Sequence, residues 1–121
     1  MKLMLEGNPK STQTLYRFAC RGSFPTMYMT KKGKDLKEQY QWEMTASKIK
    51  CTNKPVELTI DLYFNDKRKR DVDNFNKLIL DAGNGILWDD DNQIQSLTVN
   101  KHYDKDTPRI EIKYKELLTQ L

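Results

Sequence analysis

The chain has 121 residues, 37% of them apolar and 31% charged, enough for one modest core in a single domain spanning residues 1–121. No apolar run approaches the roughly 18 residues of a membrane span, and twelve aromatic residues argue against a disordered polymer. Cys20, Cys51 and a lone His102 are too few and too scattered for a zinc site. The net charge of +4 is unevenly spread: residues 1–54 hold eleven Lys and Arg against four Asp and Glu, and residues 55–121 hold ten against thirteen. A basic half suits a polyanion. The acidic half would repel phosphates unless a cation lay between them. The first six residues lack the apolar stretch of a secretion signal, so a cytoplasmic protein is expected.

In chain order, residues 2–30 read as short extended pieces broken by Gly7, Pro9, Gly22 and Pro25, with Tyr16, Phe18 and Tyr28 at strand positions. Lys31 to Lys34 reads as a basic turn. From Asp35 to about Lys50 no Gly or Pro occurs, and Leu36, Tyr40, Trp42, Ala46 and Ile49 recur at spacings that predict a helix. Val56, Leu58, Ile60, Leu62 and Phe64 alternate with Glu57, Thr59, Asp61 and Tyr63, which predicts a strand with one buried face. A polar stretch, Asn65–Arg70, follows. Phe75, Leu78, Ile79 and Ala82 then mark a short helix from Asn74 to about Ala82, with Asp73 as its N-cap and Gly83 and Gly85 ending it. Residues 93–103 and 109–115 read as two strands joined by a hairpin turn over Asp104–Pro108. The expected fold is α+β, a small, mostly antiparallel or mixed sheet with two helices.

The chemistry concentrates in residues 67–93. Asp71 and Asp73 are two apart, and on an extended chain both carboxylates point the same way. On the helical wheel Asp73, Asn74, Lys77 and Asp81 lie opposite Phe75, so the helix can pack its back and offer a polar front. Asp89, Asp90 and Asp91 follow; three adjacent carboxylates repel one another unless something positive neutralises them. Oxygen donors without sulfur suit Mg²⁺, with Mn²⁺ as a substitute. Such an ion activates water for phosphodiester hydrolysis, and Lys77 could neutralise charge on the scissile phosphate. Lys67, Arg68, Lys69 and Arg70, directly before the carboxylates, could grip the flanking backbone. Each feature also has a plainer reading: Asp73 as a cap only, the basic run as a solvated loop, Asp89–Asp91 as an acidic turn, and His102 and Trp88 as packing residues. A calcium loop is excluded, because the Asp-x-Asp-x-Asp-Gly ladder with its terminal Glu is missing.

Basic residues followed by Asp71-x-Asp73-Asn74-x-x-Lys77, then Asp81-Ala82, then Trp88-x-Asp90-Asp91-x-Gln93-Ile94, resemble the RusA family of Holliday-junction resolvases of bacteria and their phages and prophages. The match is dense over about a quarter of the chain. Pro9-Lys-Ser11, Tyr28-x-Thr30 and Lys101 match more loosely. The resemblance implies a homodimeric α+β endonuclease that nicks branched, four-way DNA with paired symmetric cuts. In it Asp71, Asp73 and Asp91 would be the essential metal-binding carboxylates and Lys77 the catalytic lysine. Asn74 and Asp90 would support them, and Lys67–Arg70 and Lys101 would contact DNA. Asp89 lengthens the acidic run, so its register can be read one residue either way. The alternatives are a nuclease for other branched DNA, or a nucleic-acid-binding module without catalysis. The second has no use for the full carboxylate set with Lys77.

Overall fold

The computed structural model describes residues 1–22 and 24–118. In chain order the strands are β1 (Lys2–Glu6), β2 (Tyr16–Arg21), β3 (Phe24–Met29), β4 (Val56–Phe64), β5 (Ile94–Tyr103) and β6 (Arg109–Glu116). The helices are α1 (Thr12–Leu15), α2 (Lys31–Ala46) and α3 (Lys77–Gly83), with 3-10 turns at Val72–Asn74 and Asp91–Gln93. The class is α+β, and the described residues include the short α1 in addition to the two expected helices. None of these helices is long and apolar enough to cross a membrane.

The main sheet runs β1-β6-β4-β5, and β2 and β3 form a separate antiparallel ribbon. β4 takes the centre because its period-two apolar set demands cover: Val56, Leu58, Ile60, Leu62 and Phe64 are all buried. Its polar alternates are half-covered, by a network on the sheet's other face. Asp61 accepts from Asn100 (3.0 Å) and lies 2.9 Å from the His102 ring, Tyr63 stacks on that ring, and the Arg109 guanidinium lies 3.8 Å from the Tyr63 ring centre. His102 is therefore a surface packing residue.

The expected hairpin between the last two strands does not form. β5 pairs parallel with β4, and β6 pairs antiparallel with β4 on its other side. The short connection hops over the end of β4, where the Asp104 amide donates to the Phe64 carbonyl (2.8 Å). The apolar central strand outcompetes direct β5–β6 pairing, since it alone gives both neighbours a buried partner.

Three further expectations are corrected. Lys31–Lys34 is the first turn of α2, not a free turn. Thr30 caps it, its hydroxyl accepting from the Gly33 amide (3.1 Å). Gly33 is needed because a Cβ there would strike the Leu15 carbonyl and the Met29 side chain. The helix ends at Ala46, short of Lys50, where Lys48 takes a positive φ of 59°. Asp73 does not cap a continuous helix: it lies within a 3-10 turn, and α3 starts only at Lys77. Phe75, Leu78, Ile79 and Ala82 are nevertheless buried as the spacing requires. Gly83 closes α3 against Trp88, and an added Cβ would lie 2.5 Å from the indole Cζ2. Trp88 is a core anchor: it is fully buried, donates from Nε1 to Asn84 (3.0 Å) and meets Tyr114 edge-on.

Candidate active site

α3 packs its apolar stripe on the core and turns Lys77 and Asp81 outward. The Lys77 ammonium lies 3.5 Å from the Asp81 carboxylate, one helical turn on, and 5.1 Å from the centre of the Tyr16 ring. The Tyr16 hydroxyl donates to the same carboxylate at 2.5 Å. Burial, then that hydrogen bond and the Asp81 charge, push the Tyr16 phenol well above its ordinary range. Tyr16 stays a neutral donor, and Asp81 holds both the root of β2 and the lysine.

Asp89, Asp90 and Asp91 have different surroundings. Asp89 turns away: its carboxylate accepts from the Cys51 thiol (3.3 Å), and its amide donates to the Thr52 carbonyl. Asp90 caps the 3-10 turn, accepting from the Asn92 amide (3.1 Å), while the Gln93 side chain accepts from the Asp90 amide (2.8 Å). The Asn92 bond first, then hydrogen bonding with Asp91, holds the Asp90 carboxyl below the usual carboxylate range. Gln93 also donates to the Thr52 and Lys54 carbonyls, both at 2.9 Å, and so rivets the turn to the 51–54 loop. Asp91, half-buried, faces α3. Burial first, then the Asp90 hydrogen bond and the charges of Asp90 and Asp81, raise its carboxyl, and Lys77 opposes them.

Asp71 and Asp73 are exposed, at the start and in the middle of the 3-10 turn that packs beside β5. Among the described residues their side chains have no hydrogen-bond or ion-pair partner. Asn74, half-buried, ends that turn, and its amide donates to the Asp71 carbonyl (3.2 Å). The structure thus brings Lys77, Asp81 and Asp91 into one electrostatic group. Among the described residues no three Asp, Glu, His or Cys side chains converge in a group that could enclose a metal ion, so Asp71, Asp73 and Asp91 form no closed cage.

The basic run divides in the same way. Arg70 folds back on the body, donating to Asp66 (2.6 Å) with its guanidinium 4.2 Å from the Phe64 ring centre. Lys67 lies over Tyr103 (4.9 Å), while Arg68 and Lys69 are exposed. Lys101 donates to the Arg70 carbonyl at 2.5 Å and steadies the loop. From sequence Tyr16 is only a strand position, and Asp81 belongs to the polar front of the helix and to the motif without a role of its own. The spacing from Lys77 to Asp81 could have pointed to Asp81; Tyr16, 65 positions away, gave no local signal.

The fold and this cluster define a small α+β protein that sets carboxylates and a lysine beside a cationic loop, the make-up of a protein that handles phosphate esters. The chain belongs to the RusA endodeoxyribonuclease family: the family model described as endodeoxyribonuclease RusA matches residues 6–115. No curated protein matches it.

Proposed function

We propose that this nuclease resolves four-way DNA junctions by paired, symmetric nicks, as a homodimer that uses Mg²⁺, with Mn²⁺ able to replace it. The carrying observation is the contrast on one short stretch of chain: Asp71 and Asp73 are exposed and without side-chain partners among the described residues, while Lys77 is held by Asp81 and Tyr16. The donor set fits a magnesium-class ion, since every candidate ligand is a hard carboxylate oxygen. Mg²⁺ commonly takes only a few carboxylates and completes its shell with water and substrate phosphate, so a closed protein cage is not required. Asp71, Asp73 and Asp91 would hold it. When bound, the ion supplies a more acidic water and charge neutralisation.

The chain's own residues supply the rest. Lys77, partly exposed and braced by Asp81, would donate to a non-bridging phosphate oxygen where negative charge builds. Asp90 and Gln93 fix the turn that presents Asp91. Arg68 and Lys69 would contact flanking phosphates. A two-fold dimer would match a two-fold junction, with one site per opposed strand. The test is a labelled synthetic four-way junction incubated with and without Mg²⁺, with the nicks mapped on all strands. Symmetric nicks only with metal are expected. Metal-independent cutting, or cuts confined to linear duplex, would refute the reading.

A further inference from the structure

Beyond Tyr16 at its root, the β2–β3 ribbon takes no part in the cluster around Lys77. Its root is tied down: Tyr16 is buried and pairs with Met29, and the Thr30 amide donates to the Leu15 carbonyl (2.9 Å). Beyond the root it carries large apolar side chains into solvent: Phe18 is 77% exposed, Phe24 76% and Tyr28 51%. An isolated two-stranded ribbon contributes little to stability, and large apolar side chains left in solvent on both its faces, Phe18 on one and Phe24 and Tyr28 on the other, point to a binding role.

The register gives the ribbon two faces. Tyr16 opposes Met29 and Phe18 opposes Met27 on one; Arg17 opposes Tyr28 on the other. Side chains alternate along a strand, so Phe18 stands on the side to which Tyr16 points. That side meets Asp81 and lies under Lys77. Phe18 is two residues from Tyr16, about 7 Å along the strand, or about two nucleotide steps of a DNA strand. From Gly7 to Lys34 the sequence has six Lys and Arg and no Asp or Glu. Arg17 and Arg21 lie on the ribbon, and Lys10, Lys31, Lys32 and Lys34 come just before and after it in sequence, so a polyanion is attracted to this segment and a second copy of it is repelled.

We propose that the β2–β3 ribbon is a base-stacking arm for branched DNA, with Phe18, beside Met27, stacking on the base that loses its neighbour at the branch. Aromatic faces stack on any base and discriminate little between sequences, so the arm recognises the break in stacking. This inference rests on the junction-resolving reading and adds the residue that senses the branch.

The test uses the full chain without divalent metal. The probes are a four-way junction carrying 2-aminopurine beside the branch, a duplex of the same sequence and a single strand. Phe18→Ala and Phe18→Leu should raise the junction Kd roughly 5- to 100-fold, leave the duplex Kd nearly unchanged and abolish the 2-aminopurine response. Phe18→Trp should restore both. Because Phe18 is exposed, all three variants should melt like the wild type. Equal losses on junction and duplex, or none, would overturn the proposal. So would unchanged junction preference with a lower sedimenting mass, which would give this face to a second copy. If the wild type binds junction no better than duplex, the junction reading fails on its own. The arm then stands or falls on whether a Phe18-dependent response appears with the single strand.

Discussion

Two sets of carboxylates lie within twenty-one residues of one another and differ in what they touch. Asp81 and Asp90 are engaged by their neighbours: Asp81 by Lys77 and Tyr16, Asp90 by the Asn92 amide. Asp71 and Asp73 have no side-chain partner among the described residues, and the turn they sit on makes no use of their carboxylates as caps. The engaged set holds the structure. The free set makes no side-chain contact that would hold the structure, which leaves both carboxylates open to the ion proposed above. Asp91 falls between the sets, half-buried and facing both acids and the lysine.

The sharpest way to break this comparison is to neutralise each set in turn. Asp71→Asn and Asp73→Asn should abolish junction cutting yet leave stability within about 0.5 kcal/mol, as for surface changes without partners. Junction binding should hold or tighten as negative charge facing phosphate is removed. Asp91→Asn should also abolish cutting. Wild-type cutting in all three variants would sink the metal assignment. Lys77→Ala should slow single-turnover cutting at saturating protein by about 100- to 1,000-fold, the usual cost of losing one well-placed donor. Lys77→Arg should rescue it poorly, since a planar fork does not replace a compact ammonium. A near-normal rate in Lys77→Ala would reduce the lysine to a surface partner of Asp81.

The engaged set should respond in the opposite sense, in stability before rate. Tyr16→Phe removes a partly buried hydrogen bond to a carboxylate, worth about 1.5–3 kcal/mol, and frees Asp81 and Lys77 to move. Chemical denaturation should show the loss, and the fall in cutting should be smaller than for Lys77→Ala. Gly83→Ala tests a packing contact at the end of α3 that involves none of the charged groups. Its Cβ would press on the Trp88 ring, so about 1–3 kcal/mol of overpacking is expected, with the cutting rate of the folded fraction retained. An unchanged melting temperature would mean that the ring can shift.

How much of this was legible in the sequence follows from range. β4 was readable residue by residue because its signal is a strict alternation, and the buried stripe of α3 because its spacing is local. The residues of β5 and β6 were readable, but their pairing was not. Five connecting residues suggest a hairpin, and only the demand of β4 for two neighbours, a long-range fact, separates them. Lys31–Lys34 looked like a turn because of Gly33, whose purpose is a close approach to Leu15 and Met29 that sequence spacing cannot reveal. The candidate site residues stand close together in the sequence. Their division into free and engaged was not legible there, since it depends on Tyr16, Cys51 and Thr52 arriving from other parts of the chain.

The smallest expected effect extends the same comparison to a carboxylate outside the site. Asp61, on the open face of the sheet, is engaged like Asp81, but by Asn100 and His102. Burial pushes its carboxyl upward. The hydrogen bonds from His102 and Asn100, with the charges of His102 and Lys113, outweigh that and hold it below the ordinary carboxylate value of 3.8. A carboxylate whose folded pKa lies below its unfolded one adds stability that is fully present above the unfolded value and is lost as pH falls through the folded one. The wild type should therefore lose this contribution only below about pH 4. Asp61→Asn removes the titrating group and should flatten that limb. The difference in unfolding free energy between wild type and Asp61→Asn should be about 1 kcal/mol or less at neutral pH, because the pair with His102 is partly exposed, and it should shrink as the solution is acidified. Cutting at neutral pH should not change, since Asp61 and His102 lie on the sheet face opposite α3. Denaturation of both proteins at several acid pH values checks the sign. A difference that grows toward low pH would show that burial, and not the His102 and Asn100 bonds, governs Asp61.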